Sequence, residues 1–470
     1  MKKSWLSYAL MAGAAVTCAA QTADRNKPPV SPDPRPYKLP SIFETKLPNG
    51  LTVMMAEDKR VPLATVRLVF PGGNRRDPKD IPGLAASTAS MLTQGTKTRT
   101  YQQIAEQLDS MGAAMTAAAG ADQITIQGSV LSDKLPVLLD LIADVARNAS
   151  FPENELALHK QNRKQQLAMQ HAEPSFLAAE TFRKATFAGH PYEHIGPTNE
   201  SLDKMDQKTV ASFRDTFLVP NNGTLIIVGN LPARAAAMKT ITSLFGTWEQ
   251  KELPKYEPGP VPAPKKQMLL VNRPGSVQAD ISIGRTAAVR RDADYFPEVV
   301  GSVILGSGTN SRLFTDIREK RGYAYDAHTE LNPLDNAATM TAITQIRNEV
   351  APEGILAVME HLDNMAKTPV SGEELRSAKS FANGMFLMRL EPQAGLADQL
   401  VTMRVQGLPK DYLESYTTKV NSVEPDQIQG IAKKYFSTEN ASIVVVGDAE
   451  KLQKPLEEKL GKFTVVKPGQ

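Results

Sequence analysis

Apolar and polar positions alternate along residues 61–70, so Ala64, Val66, Leu68 and Phe70 share one face of a predicted strand. Just before it, Pro48-Asn49-Gly50 suits the tight turn of a hairpin, because Asn-Gly accepts the positive φ that such turns need. Helical spacing follows at about 83–93 and again at about 100–111. Strand patterns return near 113–119 and 122–130, long helices fill roughly 133–218, and a continuous apolar strand occupies 223–229. Strands and helices run in blocks rather than in strict alternation. That order predicts an α+β fold, with mainly antiparallel sheets covered by helices.

The pattern recurs. NNGTLIIVGNLP (221–232) is echoed by ENASIVVVGDAE (439–450), with Gly229 and Gly447 lying 218 residues apart. FPENEL (151–156) is echoed by VSGEEL (370–375), and Leu-x-x-Gly-Thr occurs at Leu92–Thr96 and at Leu305–Thr309. Three echoes in the same order at similar offsets predict a duplication. Proline-rich stretches punctuate it: one at 27–40, and a second from Leu253 to Lys266. The expected layout is a signal segment at 1–20, a tether at 21–40, a first half at 41–250, a linker at 251–266 and a second half at 267–465.

Composition narrows the function. The 470 residues are 41% hydrophobic and 22% charged, which excludes disordered and fibrous classes. One cysteine, Cys18, excludes a disulfide framework and a Cys-rich metal site. It lies in MKKSWLSYALMAGAAVTCAA, a basic start, an apolar run and small residues, which reads as a secretory signal with cleavage after Ala20. Lipidation at Cys18 is the alternative, and only then would the chain be held at a membrane. Either reading exports the protein, to a periplasm-like compartment. Removing Lys2 and Lys3 takes the formal charge from +3 to +1, so nothing points to nucleic acid.

The helix beginning at Gly83 reads GLAASTASML and is followed by Gly95-Thr96. In its flanks and its place in the order of elements, it resembles the first helix of the insulinase and mitochondrial-processing-peptidase family of zinc peptidases, the inverzincins. The resemblance spans about 40–465 and implies two homologous halves that form a clam-shell chamber. In that family this helix carries His-x-x-Glu-His, two imidazoles for zinc and a glutamate that activates water. Here Ala86 and Ser90 stand at the ligand positions and Ala89 at the base position. The family's third ligand, a glutamate, falls at Gln165 or Gln166. Methyl groups have no lone pair, and neutral amides and hydroxyls bind zinc poorly. The resemblance therefore implies no zinc cofactor in this chain, with zinc expected in a partner subunit.

A literal His-x-x-Glu-His does occur, at His190-Pro191-Tyr192-Glu193-His194. Pro191 interrupts it and Gly196-Pro197 ends it, so two histidines on one sustained helical face are not expected. It reads as a loop anchored by Tyr192. In the second half, NSRLFTDIREKRGYAYDAHTEL (310–331) is similar to the family stretch that brings an Arg and a Tyr to the substrate. Arg318 and Tyr325 have its seven-residue spacing, with Tyr323 as the alternative register. Arg318 would close a helix and Tyr325 would open the strand after a turn at Gly322.

Some relatives are obligate heterodimers in which one subunit holds the metal and the other the Arg–Tyr pair. The resemblance implies a non-catalytic subunit of this second kind. Its partners would be a homologous zinc-binding peptidase subunit and an unfolded peptide, with Arg318 and Tyr325 assisting catalysis and binding substrate. Two further readings stay open: a catalytically dead peptide-binding or scaffold protein, and a peptidase using the His190–His194 loop.

Overall fold

The computed structural model describes residues 38–468, so the signal segment, Cys18 and most of the proline-rich tether lie outside the described residues. Two six-stranded sheets organise the chain. The first runs in the order β1 (Ile42–Lys46), β2 (Thr52–Glu57), β6 (Thr224–Gly229), β3 (Leu63–Pro71), β5 (Gln123–Leu131) and β4 (Ala114–Ala119). The second runs β12 (Thr464–Val466), β7 (Gln267–Asn272), β11 (Ser442–Gly447), β8 (Gln278–Ala287), β10 (Ala338–Arg347) and β9 (Ala324–Pro333). From β2 and β7 to the far edges the two sheets share order and direction. β2 pairs parallel with β6 as β7 does with β11, and every later pair is antiparallel. They differ at the outer strand, where β1 joins antiparallel and β12 parallel.

Local chemistry sets these elements. Gly50 adopts φ 89° in the β1–β2 turn, and the Asn49 side chain donates to the Phe245 and Trp248 carbonyls, tying the hairpin to the end of its own half. The helix Tyr101–Ser110 starts at a reciprocal cap, in which Thr100 accepts from the Gln103 amide and Gln103 accepts from that of Thr100. Ala64, Val66, Leu68 and Phe70 are buried, and they pack in one core with Leu138, Leu141, Ile142, Ile241 and Phe245 from helices on that face.

The opposite face of β3 is buried as well, which its alternation alone did not foretell. Thr65, Arg67 and Val69 are covered by the helix Gln393–Val405, contributed by the second half. Arg67 donates to Asp398 at 2.8 Å, and Arg404 donates to Thr224 and Thr52 at 3.1 Å. The exchange is mutual. The helix Pro174–Phe187 of the first half lies on β11 and β8, where Leu177, Ala178 and Phe182 pack with Val271, Val444 and Val446. Each sheet thus has its own helices on one face and a borrowed helix on the other.

Residues 251–266 form neither helix nor strand, yet they do not hang free. The Arg76 guanidinium stacks 4.0 Å from the Tyr256 ring and donates to the Pro254 carbonyl.

Candidate functional site

The helix matching the family's metal helix is Leu84–Met91. Gly83 opens it in the left-handed region (φ 86°), and Pro197 packs where a side chain would stand. The Asp77 carboxylate accepts from the amides of Gly83 and Ala85, at 2.7 and 2.8 Å, and so fixes the helix N-terminus. Burial nevertheless pushes the Asp77 carboxyl up to about 7, against the pull of those amides.

Of the three key positions, Ala89 is fully buried in the core, Ala86 is half-buried and Ser90 is exposed. The Ser90 hydroxyl is spent on the Ala86 carbonyl, at 3.0 Å. The helix Glu153–Ala172 touches this helix and carries Gln165 and Gln166, both exposed; the Gln166 amide oxygen accepts from Arg163. Two methyls, a hydroxyl bonded to its own helix and neutral amides do not fit zinc. Among the described residues no group of three His, Cys, Asp or Glu side chains is placed to hold a metal ion.

The His190–His194 stretch folds as a loop between helices, and its groups are committed elsewhere. His190 is buried and its Nδ1 accepts from the Tyr192 amide. Glu193 accepts from the Gly189 amide, and His194 is exposed. Tyr192 is the anchor: buried, it donates its phenol proton to Asp122, while burial and that carboxylate push the phenol's pKa upward. Asp122 belongs to a network that crosses between the halves. Arg75 reaches Asp335 at 2.5 Å and Asp122 at 3.5 Å, the Asp335 amide donates to Asp122, and Arg291 pairs with Asp335 at 2.7 Å.

Arg318 and Tyr325 are brought together. Arg318 lies in the helical turn Phe314–Lys320, which has the wide i→i+5 spacing, and Gly322 (φ 61°) turns the chain into β9. The guanidinium sits 4.5 Å from the Tyr325 ring centroid and 4.6 Å from that of Phe314. Tyr325 is 83% exposed although it is a large aromatic on a strand. The cause is local: the β9–β10 register slips between Thr344 and Ile346, opposite Ala327 and Ala324, so Tyr325 and Asp326 fall in a bulge. Bulges re-aim side chains, and β9 is the sheet edge. A phenol and a guanidinium that make no ion pair among the described residues form a donor pair able to meet negative charge developing on a carbonyl oxygen. Tyr323 instead has Arg321 beside it, at 6.0 Å.

The Asp77 cap and the Arg75–Asp122–Asp335 network escaped the sequence reading. A signal for them exists: Arg-Arg-Asp stands at 75–77 and again at 290–292, each time just ahead of the first helix of its half.

Comparison with known proteins agrees with the two-half α+β fold. Residues 52–195 match the model of the insulinase family, peptidase family M16, and residues 204–381 match that of the peptidase M16 inactive domain. Uncharacterized zinc proteases of Bacillus subtilis and Rickettsia bellii are 21% and 24% identical over 84% and 85% of this chain and 96% of their own lengths. Among solved structures, a peptidase M16 inactive domain from Pseudomonas fluorescens superposes with a TM-score of 0.81 at 24% identity, over 87% of this chain and 98% of that one. A protease from Helicobacter pylori gives 0.79 at 19%, over 87% and 100%. The helix Leu84–Met91 carries no His, Cys, Asp or Glu, and the chain belongs to the M16 peptidase family.

Proposed function

We propose that this protein is the non-catalytic subunit of a heterodimeric zinc peptidase outside the cytoplasm. It closes the chamber around an unfolded peptide, takes that peptide as an added strand along a sheet edge, and presents Arg318 and Tyr325 to the zinc site of its partner. The observation that carries this reading is the Arg318–Tyr325 contact on a bulged edge strand, with Tyr325 held out to solvent, in a chain whose metal helix has none of its ligands.

The purified chain alone is expected to hold no stoichiometric zinc and to cleave no unstructured peptide. With its co-purifying partner, Arg318→Ala or Tyr325→Phe should lower kcat about 10²–10³-fold, the effect of removing one oxyanion donor, and leave assembly unchanged. Chelator-sensitive cleavage by the chain alone would sink the proposal. Peptide binding that is indifferent to Arg318→Ala, with no activity alongside any partner, would instead favour a peptide-binding scaffold.

A further inference from the structure

The turn that carries Arg318 is held by groups the proposed function does not name. Residues 316 and 321 close on each other twice. The Arg321 amide donates to the Asp316 carbonyl at 2.9 Å, and the Arg321 Nε donates to the Asp316 carboxylate, also at 2.9 Å. Arg318 lies inside the ring so formed, and Gly322 follows it directly. The same carboxylate oxygen meets Nε2 of His361 at 2.9 Å. Burial pushes the Asp316 carboxyl up, yet the His361 and Arg321 bonds hold it below the usual carboxylate range. Asp316 is then an ionised acceptor, and the His361 Nε2 carries the proton.

Both ends of this arrangement are anchored. His361 belongs to the helix Ala351–Lys367, in which Val358, Leu362 and Met365 are buried and Asp363 accepts from the Thr438 amide and hydroxyl. Ahead of the turn, Arg312 donates through Nε and Nη2 to the two Glu374 carboxylate oxygens, and Leu313 and Ile317 are buried.

Spacing gives the Asp316–Arg321 pair its meaning. On an α-helix the side chains that meet are three or four residues apart. Residues five apart are turned away from each other by about 140°, at 3.6 residues per turn. The wide i→i+5 turn brings 316 and 321 onto one side, so their ion pair favours the wide turn over an ordinary one. A turn relaxed to i→i+4 would part them and would shift Arg318 relative to β9, where Tyr325 stands. The Arg321 side chain is 39% exposed, so the pair adds little to global stability. Its leverage is on the width of the turn.

We propose that Asp316, Arg321 and His361 are positioning residues: the carboxylate, steadied by His361, latches the wide turn and so keeps the Arg318 guanidinium on the Tyr325 ring. Their bearing on catalysis rests on the zinc-partner reading; the latch itself does not.

NMR of the full chain without a partner tests the latch, through the ring-current shift of the Arg318 side-chain protons in arginine-labelled protein. The part of that shift removed by Tyr325→Leu reports the contact. Asp316→Asn and Arg321→Gln should each lose it while thermal unfolding stays close to wild type. His361→Gln keeps an N–H donor and should keep the contact, whereas His361→Leu should lose it. With the zinc-binding partner, Asp316→Asn should lower kcat about 10²-fold with KM unchanged, and should add nothing to Arg318→Ala. A contact retained in both Asp316→Asn and His361→Leu would overturn the proposal. So would full kcat of Asp316→Asn beside a crippled Arg318→Ala. Full kcat in both of those variants would instead count against the zinc-partner reading, and the shift alone would then decide the latch.

Discussion

At the scale of single residues, the useful contrast is between carboxyls with and without cations. Asp335 and Asp122 share Arg75. Glu298 has no such partner. It is fully buried on the helix Tyr295–Gly306, one oxygen accepts from the Ala288 amide at 2.9 Å, and the other has no partner. Burial above all, and then Asp294 and Asp292, push it up to about 8 from 4.5. A carboxyl raised by folding contributes stability that is fully present below its unfolded value and is lost as pH climbs through the folded one. Between pH 4.5 and 8, Glu298 should therefore withdraw up to ~1.4 kcal/mol of stability per pH unit. Urea denaturation at pH 5 and pH 8 checks this. Glu298→Gln is expected to flatten the decline and to gain on the wild type at pH 8. Residue-scale chemistry was partly legible. The losses at Ala86, Ala89 and Ser90 could be read directly, and so could the Arg318–Tyr325 spacing. The exposure of Tyr325 could not, because it follows from a register slip set by the partner strand β10.

At the scale of elements, matched sequence does not guarantee matched demand. β6 and β11 end in the glycines whose echo first suggested two similar halves. Gly229 has φ 149°, and a Cβ there would lie 2.3 Å from the Leu63 carbonyl oxygen and 2.7 Å from Ala64 Cα, both backbone. At Gly447 the nearest atom would be the end of the Leu452 side chain, at 2.5 Å, and the backbone is not in the positive-φ region. Gly229→Ala should cost about 2–4 kcal/mol, through strain and forced backbone movement. Gly447→Ala should cost about half as much or less, since Leu452 can change rotamer. Thermal unfolding of the two variants gives the ranking, and equal losses would contradict it. The α+β layering of two sheets covered by helices was foreshadowed by the block pattern and the repeats. The borrowed helices were not, because the periodicity of a helix tells which side is apolar and not which sheet will cover it.

At the scale of the whole molecule, this exchange makes each half a structural requirement of the other. Without residues 267–465, the Leu177, Ala178 and Phe182 face would be open to water; without residues 41–250, so would Val271, Val444 and Val446. Arg75 would leave Asp335, and removing one member of a buried pair costs about 3–5 kcal/mol. Fragments 38–252 and 253–468 produced separately are expected to be poorly folded. Produced together they should co-elute as one species by size-exclusion chromatography, and two independently stable, non-associating fragments would refute the dependence. The Arg76 contacts with the Tyr256 ring and the Pro254 carbonyl then lie across the cut.

The outer strands carry a last consequence. β1 has five residues and β12 three, and prolines stand close by at Pro40 and Pro468. Short strands bounded by prolines are poor templates for another chain. At the opposite edges, ten-residue β9 ends in Pro333 and carries the bulge at Tyr325 and Asp326, whereas six-residue β4 has no such guard. An edge kept open for a passing peptide is also open to a second copy, so self-association should begin there. Lysine in place of exposed Ala118 on β4 would keep the protein dispersed at high concentration, at the expense of whatever strand that edge is meant to receive.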